Sequence, residues 1–126
     1  MSFAKSRSMM AAFLLCALPL TAEAGQPYDA KAFAAAQDVG KSILVDVTAP
    51  WCPTCAKQRP TVQGLETSQP KLVVFDVDFD SAKDVLKQFR VTSQSTLIMF
   101  KGKTEVGRST GEIDPAVITA LVSKGL

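Results

Sequence analysis

Apolar residues along this chain fall into runs whose spacing separates helices from strands. Asp29 precedes "AKAFAAAQDV", where Phe33 and the alanines share a face and Gly40 follows, so a short helix capped by Asp29 and stopped at Gly40 is predicted. "SILVDV", Ser42 to Val47, is continuous and β-branched, the pattern of a strand buried on both faces. Asp46 is the anomaly in it. After "APWCPTCAKQRP" a helix should run to about Glu66, with Pro60 interrupting it by removing a backbone donor. "KLVVFDVDF" predicts a second buried strand, and Ser81 is placed to cap "AKDVLKQF", whose Val85, Leu86 and Phe89 share a face. "TLIMF" and "TEVGRS" flank Lys101-Gly102-Lys103 as a hairpin, and Asp114-Pro115 open a last helix as cap and first-turn residue. Helix, strand, helix, strand, helix, hairpin, helix make an α/β architecture, a mixed sheet covered by helices.

The beginning of the chain has a different pattern. Lys5 and Arg7 are followed by the apolar run Met9 to Leu20, then by the small-x-small triplet Ala22-Glu23-Ala24. That is the form of a secretory signal, and a run this short falls below the ~20 apolar residues of a membrane span. Residues 1–24 are therefore expected to be a cleaved signal peptide, and 25–126 a single domain. Cys16 lies within the apolar run and is expected to leave with it.

Composition narrows the partners. The 126 residues carry a formal charge of +2, and removal of Lys5, Arg7 and Glu23 leaves 12 basic and 11 acidic groups. Lys and Arg are scattered, so nothing favours nucleic acid or a membrane surface. A monomer is the expected state.

Cys52 and Cys55 stand at i and i+3, which on a helical turn sets their Cα atoms roughly 5 Å apart, within reach of a disulfide. A loop this small gains little as a staple. Pro53 suits a first helical position, which leaves the Cys52 sulfur at the positive end of the helix dipole, where a thiolate is favoured and its pKa falls from about 8.5 toward neutrality. Cys55, one turn further in, is expected to be more shielded and to act as resolving thiol. Zinc sites want about four ligands, and the chain has no His. A metal or iron–sulfur cluster would need the cysteine pairs of two chains. The residues leave three readings open: a redox pair, a shared metal or cluster site, and an inert staple.

Trp51-Cys52-Pro53-Thr54-Cys55 resembles the W-C-x-x-C active site of the thioredoxin family, and the resemblance extends from about Asp29 to Leu121. Asp46 falls where that family keeps a buried acid, Pro60 on its helix-kinking proline, and Phe100-Lys101 and Gly111 at family-like spacing. The resemblance implies a thioredoxin-like fold with a mixed four- to five-stranded sheet, Gln26 to Tyr28 supplying only a fragment of a first strand. It implies a thiol-disulfide oxidoreductase needing no cofactor beyond its own cysteines. Cys52, Cys55 and Asp46 would be catalytic, and Trp51, Pro53, Thr54, Gln94 and Ser95 would line the docking groove for protein disulfides. Asp46 would move protons to and from Cys55, unless it is merely paired with Lys57 or another base.

Two positions depart from the family. Ser95 stands where the family has a cis-proline facing the cysteines; a trans Gln94-Ser95 bond is expected, since a cis bond before a non-proline residue costs about 2.5–4 kcal/mol. Its hydroxyl is expected either to bond the Cys52 thiolate, to make room for a metal, or to be a tolerated loop residue. Asp76 replaces a lysine near the buried acid, and it either couples to Asp46 or joins Asp78 and Asp80 in a solvent-facing acidic surface. Thr54, in the place of the histidine common among disulfide-introducing relatives, points toward a reductant or an intermediate potential. The expected setting is the periplasm, with a membrane thiol transporter as electron donor and a secreted peroxidase or cytochrome-maturation client as acceptor. A disulfide-introducing oxidase is the alternative.

Overall fold

A computed structural model describes residues 25–126. The chain runs β1 (Gln26–Pro27), α1 (Ala30–Asp38), β2 (Ser42–Thr48), α2 (Pro53–Ser68), β3 (Leu72–Asp78), α3 (Lys83–Phe89), β4 (Thr96–Lys101), β5 (Thr104–Thr110) and α4 (Pro115–Ser123). The strands form one sheet in the order β1-β3-β2-β4-β5. β3 pairs in parallel with β1 and β2, and the antiparallel β4–β5 hairpin joins the other edge of β2. The expected mixed sheet is present, with β1 as the two-residue fragment.

β2 is the central strand, and alternation divides its side chains between two cores. Ile43, Val45 and Val47 join Phe75, Val77 and Ile98 beneath α1 and α3. Leu44 joins Val74, Leu97 and Met99 beneath α2 and α4, whose Val62, Leu65, Ile118 and Leu121 close that side. The first core is aromatic: Phe33 meets Phe89, Phe100 and Phe75 edge-on, with centroids 5.3, 5.6 and 5.7 Å away. Such pairs add about 0.5–1.5 kcal/mol beyond the area they bury, which helps anchor α1 to the sheet.

The helix signals hold in most places. Asp29 Oδ1 accepts from Ala32 N and Asp114 Oδ1 from Ala116 N, each at 2.8 Å. Gly102 makes the hairpin turn at φ 56, a conformation open to glycine at little cost. Two expectations fail. Ser81 does not cap α3; the cap position is Ala82, with no side-chain bond, and Ser81 belongs instead to a preceding turn in which Asp78 Oδ1 accepts from the N–H groups of Asp80 (2.8 Å) and Ser81 (3.1 Å). Pro60 does not interrupt α2, which continues to Ser68. Ala56, whose carbonyl loses its i+4 donor to the proline, is exposed, so water can replace the missing bond.

No helix among the described residues is long and apolar enough to cross a membrane. The run Met9 to Leu20, Cys16 and the Ala22-Glu23-Ala24 triplet lie outside the described residues.

Candidate active site

β2 runs through the core and delivers the chain to the N-terminus of α2, where the cysteines sit. Cys52 is the N-cap, with extended backbone (φ −84, ψ 110), and Pro53 takes the first helical position. Cys52 and Cys55 form a disulfide across a Cα–Cα distance of 5.3 Å, as the spacing predicts. The Cys55 N–H donates to Cys52 Sγ at 3.1 Å. A backbone donor and the dipole of a 16-residue helix therefore point at the outer sulfur.

The expected contrast in shielding is not observed. Cys52 is 2% exposed and Cys55 3%, and the pair packs with Ala49 against Phe79. Phe79 comes from the turn after β3, and the neighbouring Asp80 accepts a 2.8 Å hydrogen bond from Trp51 Nε1 on its Oδ2. Trp51 itself is 56% exposed. The β3–α3 turn thus clasps the motif from outside, a contribution that sequence reasoning missed because nothing local ties residues 79 and 80 to the cysteines.

Asp46 lies on the side of β2 that carries Leu44, toward α2, and is 7% exposed. Burial pushes its carboxyl up from 3.8 to about 6, and the positive charge of Arg59 draws it partly back. Lys57, the expected partner, is exposed; the cation that acts on Asp46 is Arg59. Asp46 Oδ1 has no hydrogen-bond partner among the described residues. Asp76 is the direct neighbour of Asp46 in the parallel register, so both carboxylates project from the same face of the sheet. Asp76 is half-buried and borders, with Arg59, Thr48 and Pro50, a cavity of about 350 Å³. Asp78, two residues on along β3 and exposed, borders the same cavity, so Asp76 stands both beside Asp46 in the sheet and next to the exposed acid Asp78.

Ser95 adopts φ 59, and no peptide bond among the described residues is cis. Its N–H donates to Val47 O at 2.8 Å, tying the loop to the end of β2. The Ser95 hydroxyl donates to Gln94 O at 2.6 Å and is engaged there, not with the Cys52 sulfur. Gln58, one turn after Cys55 and fully buried, donates from Nε2 to Ser95 O at 3.1 Å, which holds this loop against the start of α2. The buried face of α2 reads Cys55, Gln58, Val62, Leu65, so a glutamine at a stripe position was the available sequence signal for it.

Of the remaining groove residues, Pro53 is exposed and Thr54 and Gln94 are half-buried. A cavity of about 580 Å³ over α1 and α3, lined by Phe33, Gln88 and Arg108, contains none of these residues.

The family model described as Thioredoxin matches residues 26–124. The chain belongs to the thioredoxin family. It is 37% identical over 82 residues to a thioredoxin of Chlamydia trachomatis, covering 65% of this chain and 80% of that one. It is also 37% identical over 79 residues to a thioredoxin H-type of Fagopyrum esculentum, over 63% and 68% of the two chains. Among solved structures, Trxlp from Edwardsiella tarda superposes with a TM-score of 0.74 at 43% identity, over 77% of this chain and 96% of that one. Fasciola hepatica thioredoxin gives 0.64 at 26% identity, over 69% and 83%. Thioredoxins are thiol-disulfide oxidoreductases acting on protein disulfides, and this chain is a thioredoxin-like oxidoreductase with Cys52 and Cys55 as its pair. Thioredoxins need no cofactor; among the described residues there is no group of three or more His, Cys, Asp or Glu able to hold a metal ion.

Proposed function

We propose that this protein is an exported, periplasmic reductase of protein disulfides that works as a monomer and receives electrons from a membrane thiol donor. The observation that carries the chemistry is the Cys52 sulfur at the mouth of α2, 3.1 Å from the Cys55 N–H. That donor and the helix dipole favour the thiolate over the thiol. In the reduced protein the Cys52 thiolate attacks one sulfur of a partner disulfide; a Cys52–partner bond forms and the other partner sulfur leaves as thiolate. Cys55 then loses its proton and attacks Cys52, which closes the internal disulfide and releases the second partner thiolate. Two electrons have passed to the partner. Asp46, with a carboxyl near 6, is suited to accept the Cys55 proton through water.

The partner is read as an extended segment lying beside Trp51, Pro53 and Thr54 and along the Gln94–Ser95 edge. Burial of both sulfurs supports docking before exchange. Export rests on Lys5, Arg7, the run Met9 to Leu20 and Ala22-Glu23-Ala24, with cleavage before Gly25. An oxidising compartment is where a reductase would need a membrane donor.

The test is the reduction potential of the Cys52/Cys55 couple against glutathione. A value near the about −270 mV of thioredoxins supports reduction, and one near the about −120 mV of a strong oxidase reverses the direction. In parallel, Cys55→Ser should accumulate a mixed disulfide at Cys52 with a peptide disulfide, and Cys52→Ser should accumulate none. Intact mass of the exported protein tests the cleavage site, and its metal content tests the shared-cluster alternative.

A further inference from the structure

Gln58 is the polar residue that the mechanism leaves unused in the middle of the site. It is 0% exposed, on the face of α2 that carries Cys55 and Val62. Its Nε2 donates to Ser95 O at 3.1 Å and to Glu112 O at 2.8 Å. Both partners are carbonyls, so the amide cannot be turned over: the nitrogen must face them and both its protons are committed. The Oε1 is left buried with no partner among the described residues. Methionine or leucine would fill this place without an unmatched acceptor, and such a group calls for an explanation.

The two carbonyls give one. Ser95 immediately precedes β4 and Glu112 follows the end of β5, so Gln58 gathers both open ends of the hairpin onto the helix that bears the disulfide. Ser95 is then held from three directions: by Val47 O at 2.8 Å, by the Gly111 N–H on its carbonyl at 3.0 Å, and by Gln58. A serine at φ 59 is in a sparsely populated conformation that persists only where its surroundings impose it. The third tie is the one that connects the loop to the cysteine helix.

We propose that Gln58 is a positioning residue that sets substrate choice: it fixes the Gln94–Ser95 edge relative to the disulfide, so that an extended polypeptide carrying a disulfide is reduced in preference to a small one. This rests on the reading of the Gln94–Ser95 edge as the docking strand. Without the clamp the sulfur chemistry is intact, but the edge no longer holds its register. A small disulfide reaches the sulfur without using the edge; a peptide pays for the disorder on binding.

The experiment compares the purified protein with Gln58→Met and Gln58→Leu, using a dithiol as electron source and two substrates, a peptide disulfide and an aromatic small-molecule disulfide. The expected result is a rise of about tenfold in KM for the peptide, equivalent to ~1.4 kcal/mol, with its kcat and the small-disulfide rate within about twofold of wild type. Equal losses on both substrates, or no change on either, overturn the proposal. A peptide N-methylated beside its cysteine separates the two readings. If wild type reduces it as well as the unmodified peptide, edge docking fails and the proposal falls with it. If N-methylation weakens binding while Gln58→Met leaves KM unchanged, the proposal alone falls. Should neither variant fold, the Gln58 side-chain amide protons of the Cys55→Ser mixed disulfide decide: slower exchange with the unmodified peptide than with the N-methylated one upholds the clamp, and identical exchange overturns it.

Discussion

Replacing Asp46 with asparagine should stabilise the protein, by an amount that depends on pH. The carboxyl sits at 3.8 in the unfolded chain and about 6 in the fold, mainly through burial. At 1.36 kcal/mol per pH unit the difference corresponds to roughly 3 kcal/mol. The sign follows from who holds the proton. Well below pH 3.8 the acid is neutral in both states and there is no penalty. Between 3.8 and about 6 the unfolded chain releases its proton first, so stability falls as pH rises; above that window the whole penalty is present. Wild type therefore carries about 3 kcal/mol of it at pH 7.5 but only about 0.5 kcal/mol at pH 4. Urea unfolding measures the difference. With a slope of about 1.5 kcal/mol/M, Asp46→Asn should raise the midpoint by ~2 M at pH 7.5 and ~0.3 M at pH 4. Any cost of burying the amide is common to both pH values and cancels in the comparison. An equal shift at both would refute the claim that desolvation of this carboxylate is what the fold tolerates. The same variant should slow resolution of the mixed disulfide near neutral pH, read by quenched-flow mass spectrometry.

Ser95→Pro should destabilise the fold by about 1–3 kcal/mol, because proline cannot adopt φ 59 and removes the N–H that donates to Val47 O; a urea midpoint equal to wild type would show that this loop rebuilds freely. Asp80→Ala removes the acceptor of Trp51 Nε1 and should lower the fluorescence anisotropy of the protein's one tryptophan, accelerate reduction of the disulfide by dithiothreitol, and change stability by no more than about 1 kcal/mol. Unchanged reduction kinetics would mean that the clasp does not limit access to the sulfurs.

What the sequence made legible is what local spacing encodes. The cap at Asp29, the turn at Gly102, the Asp114-Pro115 start and the cysteine pair on one helical turn each depend on residues within about four positions of one another. The unreadable part depends on partners brought together by folding. Ser81 is drawn into a turn held by Asp78, a strand-end residue, and the helix starts one position later than a Ser81 cap would set it, with Ala82 as N-cap. Burial dominates the Asp46 carboxyl and the cation that partly offsets it is Arg59, two positions beyond Lys57 on α2, a pairing set by how the helix lies against β2. The equal burial of Cys52 and Cys55 depends on Phe79, which belongs to the end of a different strand. Gln58 looks like a polar misfit on an apolar stripe until its acceptors at Ser95 and Glu112 are seen.

These long-range partners bear on how exchange is controlled. A helix N-terminus by itself would activate an exposed sulfur toward any disulfide in solution. Here Cys52 is 2% exposed and packs with Phe79, while Trp51 is tied to Asp80. The driving chemistry and the access to it are thus carried by different elements: α2 and the Asp46 carboxyl on one side, the β3–α3 turn and the Ser95 loop on the other. If a polypeptide docks along the Gln94–Ser95 edge as proposed, the binding energy gathered there serves to bring its disulfide to the sulfur, a gain that a small disulfide forgoes. On that proposal selectivity belongs to the Ser95 loop and the β3–α3 turn, and the exchange chemistry to the cysteine turn. The serine at the family's proline position is held by Val47 O, Gly111 N–H and Gln58, none of which belongs to the cysteine pair, and the disulfide spans 5.3 Å between Cα atoms on its own helical turn.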